Sequence, residues 1–170
     1  VGQVASTVFI FGYSCFAAGT PVRTLLGPRP IESIEVGDQV LAQDVTTGAL
    51  SFEPVVALHH NPPKPTLRID LGDEAIVATP IHRFWRAGQG WAMARDLKPG
   101  DTIRRLGGTA RVVSVSEEQV QPVFNLDVAE RRSFFVGASG ALVHDNSLVD
   151  PVLHPFDAPK APEVAAADAR

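Results

Sequence analysis

Cys15 is the only cysteine of this chain, in the stretch GYSCFAAGTPV between an apolar run and a Gly-Thr-Pro turn. A thiol is the best nucleophile a side chain offers near neutral pH, although at an ordinary pKa of about 8.5 little of it is thiolate. The carbonyl nearest to this sulfur belongs to Ser14. Attack there converts the Ser14–Cys15 peptide bond into a thioester, an N-to-S acyl shift. The shift is uphill for an ordinary amide. It needs a proton for the departing nitrogen and a partner for the oxyanion. By residue type alone, a lone cysteine among small apolar residues is more often core packing than a nucleophile.

Two further stretches hold groups that could help. ATPIHRFW carries Thr79 and His82, and a T-x-x-H turn stiffened by Pro80 can bring a hydroxyl and an imidazole to one point. An imidazole can lend a proton to an amide nitrogen near pH 7. His59 and His60, in ALHHNPP, read as surface or internally satisfied histidines. With no second cysteine, the histidine spacing matches no familiar zinc set. Near the other end, LVHDNS places His144, Asp145, Asn146 and Ser147 side by side. An asparagine amide can attack its own backbone carbonyl, forming a succinimide and breaking the chain after it. His144 could supply the proton for that step, and Ser147 a hydroxyl able to accept an acyl group.

The elements that must position these groups are short strands. Runs such as PVRTLL, DQVLAQD, LSFEPVVALHH, TLRIDLG, EAIVATP, TARVVSVS, PVFNLDV and SFFVG are rich in β-branched and aromatic residues, and turn residues separate many of them. Only PIESIEVG and AMARDLKPG read as helical turns, each closed by glycine. The pattern predicts an all-β domain. IESIEVGDQVLA and MARDLKPGDTIRR also resemble each other: Ile34 and Leu97 three before a glycine, then Gly37-Asp38 and Gly100-Asp101, then Val40 and Ile103. That repeat predicts an internal duplication with pseudo-twofold symmetry. From about Leu148 the chain turns Pro- and Ala-rich, which predicts a flexible flanking segment over 147–170. The expected organisation is a flanking segment at 1–14, a domain at 15–146 and a second flanking segment. The reactive residues then stand where the chain enters and leaves the domain, as chemistry on the chain itself requires.

With 170 residues, one ordinary domain can bury a real core. A net charge of −4 without a basic stripe argues against a nucleic-acid partner, and no apolar run is long enough to span a membrane. The apolar opening lacks a Met and a basic n-region, so it reads as an internal piece of a longer protein rather than a signal peptide.

In this order the motifs resemble the Hint (hedgehog/intein) family, above all the bacterial intein-like and pretoxin Hint domains. CFAAGTPVRTLLGPRPIESIEVGDQVLAQD is similar to its N-terminal motif, ATPIHRFW to its T-x-x-H motif, and VFNLDVAERRSFFVGASGALVHDN to its C-terminal pair. The resemblance runs from Cys15 to Asn146 and leaves no room for a homing endonuclease. It implies a horseshoe-shaped Hint fold and autocatalytic self-processing, with Cys15 as thioester nucleophile. Thr79 and His82 would activate the scissile amide, and His144 would assist C-terminal cleavage. It implies no cofactor and no metal. The partners are the flanking segments of the same chain and an external nucleophile (water, thiol or amine), on a monomer. It also implies part of a larger bacterial protein, with the compartment open and a secreted or surface setting among the options.

Three residues depart from the family's pattern. Asn125 stands where many inteins have a catalytic aspartate, and Arg132 where a histidine often follows. Asp145 separates His144 from Asn146, where family members usually end in His-Asn. If the register follows His144, Asp145 takes the asparagine position, a carboxylate cyclises poorly, and C-terminal cleavage is slow or absent. If it follows the nucleophile pair, Asn146 cyclises and Ser147 accepts; this second register is the favoured one, with inefficient splicing. The rivals are an inert or N-terminal-cleavage-only Hint module and, less well supported, a papain-like cysteine hydrolase with an open cleft.

Overall fold

A computed structural model describes residues 14–160; of the N-terminal flanking segment only Ser14 is among the described residues, and 161–170 lie outside them. Thirteen strands form one antiparallel network: β1 (Phe16–Ala17), β2 (Pro21–Thr24), β3 (Gly27–Pro30), β4 (Gln39–Gln43), β5 (Leu50–Asp70), β6 (Ala75–Ala78), β7 (Arg83–Arg86), β8 (Gly90–Met93), β9 (Thr102–Arg105), β10 (Gly108–Arg111), β11 (Ser114–Val128), β12 (Ser133–Val136) and β13 (Ala141–His144). The order is β10-β9-β7-β13-β12-β2-β4-β5-β11-β1-β6, with β3 on β2 and β8 on β7. Because β6 pairs with both β1 and β5, the strands β5, β11, β1 and β6 close on themselves. The all-β expectation holds. Among the described residues no helix is long and apolar enough to cross a membrane.

The internal repeat extends to individual hydrogen bonds. Each predicted helical turn is a single 3-10 turn, Ile31–Ser33 and Ala94–Asp96. After each, a glycine adopts the left-handed conformation that side chains resist: Gly37 has φ +94° and Gly100 φ +93°. Gly37 N–H donates to Val55 at 2.8 Å, and Gly100 N–H to Val112 at 2.8 Å. The following aspartates take back the amides of Glu35 and Lys98, both at 2.9 Å. Upstream, hairpin β2–β3 corresponds to hairpin β7–β8. The amide that opens the first 3-10 turn donates to Thr20, and the amide of Ala94 donates to His82. His82 therefore occupies in the second copy the place that Thr20 holds in the first.

One expectation fails in a useful way. LSFEPVVALHH and TLRIDLG look like separate strands broken by NPPKP, yet they form one strand, β5, paired with β4 over Leu50–Pro54 and with β11 from Val55 to Asp70. Proline cannot donate to a ladder, so it survives in strands at bulges and exposed edges. Pro62, Pro63 and Pro65 are exposed and fall where the β5–β11 register slips twice, between Glu118 and Val123.

A principal core gathers residues from both copies, including Phe16, Ile34, Leu97, Leu126 and Val143. Phe16 packs edge-on against Phe84 and Phe134, at 6.2 and 6.0 Å between centroids. A smaller cluster joins the buried Trp85, Phe135 and Leu142. Two of the residues packed on it, Val152 and Phe156, come from the segment that composition marks as flexible. Over its described residues that segment has no regular element, and apolar burial and ion pairing hold it against the domain.

Candidate active site

Cys15 precedes the shortest strand of the fold, and that strand is clamped on both sides. The register Phe16↔Phe124 sets Asn125 across from Cys15, and Phe16↔Ala78 does the same for Thr79. Pairing geometry thus delivers two polar side chains to the bond between residues 14 and 15. The Cys15 amide N–H donates to Thr79 Oγ1 at 2.9 Å. Asn125 Nδ2 donates to the carbonyl oxygen of Ser14. The orientation of this amide is fixed, because its Oδ1 accepts the N–H of Leu126 at 2.8 Å and only Nδ2 is left to face Ser14. The Ser14–Cys15 peptide bond is therefore gripped by a donor on its oxygen and an acceptor on its nitrogen.

The Cys15 side chain is fully buried, and its Sγ accepts from Asn61 Nδ2 at 3.1 Å. Burial pushes the thiol up to about 11, and the Asn61 contact offsets only part of that. A resting neutral thiol results. A fully buried cysteine followed by a strand does not match the open cleft that a papain-like hydrolase requires, so the arrangement argues against that rival.

His82 lies inside the T-x-x-H turn, closed by its own N–H on the Thr79 carbonyl at 3.1 Å, with its ring against Phe16 at 3.9 Å between centroids. Its Nε2 is 3.0 Å from the His144 carbonyl and its Nδ1 is 3.0 Å from Ser14 Oγ. A carbonyl only accepts, so Nε2 carries the proton and Nδ1 presents a lone pair to the Ser14 hydroxyl. Desolvation, then the neighbouring His144, lowers this imidazole to about 3. His82 is therefore a neutral ring that touches both ends of the domain.

At the other end His144 closes β13, and the two following amides are bound by Arg132 and Leu126 carbonyls, both at 2.9 Å. His144 Nδ1 lies 3.0 Å from the carbonyl of Asp145, not that of Asn146. The Asp145 carboxylate is saturated. One oxygen accepts from Ser147 N at 2.9 Å and from Ser147 Oγ, and the other from Val128 N at 2.9 Å. Burial raises this carboxyl, but the hydrogen bonds from His144, Ser147 and Val128 outweigh it and hold it below the usual range. The Asn146 side chain points elsewhere: its Nδ2 is 3.3 Å from His59 Nε2, which is also 2.9 Å from Asp127 Oδ2.

Of the residues singled out from sequence, Ser14, Cys15, Thr79, His82 and Asn125 converge on one peptide bond, and His82 links them to His144. Asp145 and Ser147 turn toward each other, and Asn146 faces His59. Sequence reasoning missed Asn61, His59 and Asp127. The available signal was strand alternation, which puts 59 and 61 on one face of β5, across from Asn125 and Val123. His60, on the other face, is exposed and meets Phe124 edge-on at 4.9 Å.

The family model of the pretoxin HINT domain matches residues 21–146. The chain belongs to the pretoxin HINT family. The match begins after Cys15, so it carries the HINT scaffold and the C-terminal junction but not the cysteine itself. Among solved structures, the pretoxin HINT chain is similar to a bacterial intein-like domain from Clostridium thermocellum at 28% identity and a TM-score of 0.74, covering 77% of this chain and 98% of that one. The Ssp DnaB mini-intein variant M86 is 19% identical with a TM-score of 0.73, covering 82% and 98%. A DnaB intein from Synechocystis is 20% identical with a TM-score of 0.71, covering 78% and 98%. These two share the fold. No curated protein matches the chain.

Proposed function

We propose that this HINT domain cuts its own chain at the Ser14–Cys15 bond through a thioester. Family membership supports self-processing by a cysteine thioester in general terms, acting on the flanking segments of the same chain. The observation that carries the specific reading is the grip on a single peptide bond by Asn125 and Thr79. Sγ of Cys15 attacks the Ser14 carbonyl carbon, and the developing oxyanion stays on Asn125 Nδ2. The carbon–nitrogen bond breaks as the Cys15 nitrogen leaves as an amine, held by Thr79 Oγ1. The proton lost from sulfur ends on that nitrogen, with the neutral His82 and the Ser14 hydroxyl as relay. Water, a thiol or an amine then takes the acyl group. The test is the intact mass of the full chain with excess small thiol. Scission between Ser14 and Cys15 is expected. A chain that stays whole for days leaves the inert alternative, and turnover of added peptides leaves the hydrolase.

Asn125 gives this reading a sharp consequence. An ionised aspartate there could only accept, and it would repel the oxyanion. Asn125→Asp is expected to slow thiol-induced scission about 10²–10³-fold at neutral pH, the usual cost of a lost oxyanion donor. Rates of fragment formation at unchanged circular dichroism check it.

At the C-terminal junction the same reading gives a slow reaction. His144 holds the carbonyl of the bond before Asn146, and Asp145 has no free oxygen for attack. Release after Asn146 proceeds by attack of its own Nδ2 on its backbone carbonyl, and the proton lost from Nδ2 ends on Ser147 N, which leaves as the amine. His59, whose Nε2–H faces the Asp127 carboxylate, lies beside the Asn146 side chain and positions it. N-terminal scission therefore outruns splicing. His59→Ala, which frees the Asn146 side chain, is expected to slow the appearance of a fragment beginning at Ser147 about 100-fold, the cost of a misplaced reacting group. Mass spectrometry of the products separates this from N-terminal scission, and an unchanged rate rejects the role of His59.

A further inference from the structure

Trp85 is fully buried, and its one polar atom finds its partner outside the domain. Its indole N–H reaches the carboxylate of Asp157, with both oxygens at 3.0 Å. The same carboxylate takes two bonds from Arg104, through Nε at 3.1 Å and Nη2 at 2.8 Å, and the Asp157 side chain is only 6% exposed. Beside it the Phe156 ring stacks on Trp85 at 5.9 Å between centroids, and the Arg104 guanidinium lies 5.5 Å from the centroid of the same ring. The Phe156 amide donates to the Val45 carbonyl at 2.9 Å. Gly48 is part of the seat: a Cβ there would come within 2.8 Å of the Phe156 ring.

This is a shaped site. An aromatic ring is in contact with an indole and a guanidinium, and the next residue is a desolvated carboxylate with charged and neutral donors. Every receiving group, on β7, on β9 and in the turn after β4, belongs to the HINT domain. The occupant lies ten residues beyond Asn146, on the far side of the C-terminal junction. No step proposed above uses it.

We propose that this seat is a peptide-binding site for an aromatic–aspartate pair, and that it keeps the polypeptide downstream of Asn146 bound after the connecting chain is cut. Cutting and release are then separate events. The severed segment, from Ser147 onward, stays on the domain, with its new amino terminus close to the junction, until another ligand takes the seat. The occasion for the cut rests on the self-processing reading, but the retention does not.

The test makes the cut from outside. A recognition site for a sequence-specific protease is inserted in the full chain between Leu148, 88% exposed, and Val149. After digestion, native size-exclusion chromatography asks whether the downstream fragment travels with the domain. Co-elution is expected, and a free peptide with the sequence of 149–160 in excess should displace the fragment. Phe156→Ala with Asp157→Ala, both outside the HINT core, should weaken retention about 100-fold or more, as loss of a central anchor does at an interface. If the unsubstituted fragment separates at once, whether or not the domain stays folded, the proposal fails. It also fails if the doubly substituted fragment is retained as well as the original. Because the protease makes the cut, a chain that never processes itself still gives a clear answer.

Discussion

In Cys15→Ala, excess thiol leaves the Ser14–Cys15 bond intact, and no fragment ending at Ser14 forms over a period in which the unsubstituted chain is largely cut. Loss is complete because no other thiol exists in the chain. The same change is mild for the fold. Alanine keeps Cβ and gives up one sulfur and its bond from Asn61, a cost of about 1–2 kcal/mol for the unpaired amide and small void. Circular dichroism should therefore match, and intact mass should differ. With its pKa near 11, the thiol is only about one part in 10⁴ thiolate at pH 7. In the proposed reaction the thiol's proton must then move as sulfur bonds to carbon, which places the weight of the reaction on the relay through the Ser14 hydroxyl and His82 Nδ1.

His82 supplies the second large effect, seen in stability rather than in cleavage. Its folded-state pKa of about 3 lies below the ordinary 6.5. The folded protein therefore resists a proton that the unfolded chain accepts. Stability is full above pH 6.5 and is lost as pH falls from there toward 3. By pH 4.5 the loss reaches about 3 kcal/mol, two pH units at 1.36 kcal/mol each. The buried carboxylate of Asp145 also favours the ionised form, but its loss begins only below its ordinary 3.8, so the window between 6.5 and about 4.5 belongs to His82. Urea unfolding of the full chain at a series of pH values should show this slope. His82→Gln, neutral throughout, should be weaker at pH 7 and yet flatter across that window. A variant with the same slope as the parent would mean that the acid loss comes from another group.

Cys15, Thr79 and His82 could be singled out as candidates because a thiol, a hydroxyl and an imidazole occur in motifs with local geometry of their own, although residue type alone favoured core packing for the cysteine. The repeat around Gly37 and Gly100 was legible for the same reason: a turn is a local object whose glycine has one job. Asn61, His59 and Asp127 were not. Their positions follow from the pairing of β5 with β11, and that pairing crosses a proline cluster that local rules read as a break. The slip in register decides which side chains face Cys15, and a slip is a property of two strands at once. The docking of Phe156 and Asp157 was hidden differently. A Pro- and Ala-rich composition speaks to the absence of regular structure, as over the described residues 147–160, and is silent on whether irregular chain finds a seat. The C-terminal register also needed geometry, since only the direction of His144 Nδ1 shows which carbonyl it serves.

The single imidazole that holds Ser14 with one nitrogen and the His144 carbonyl with the other has a consequence for any polypeptide that carries this domain. Its point of departure and its point of return are held within the width of one ring. To the surrounding protein the whole domain is a large loop on a narrow neck, a geometry that an ordinary surface turn can accommodate without being pulled apart. A carrier can then fold around the insertion before any bond is cut, and in the proposed reaction the first bond to break lies at the neck.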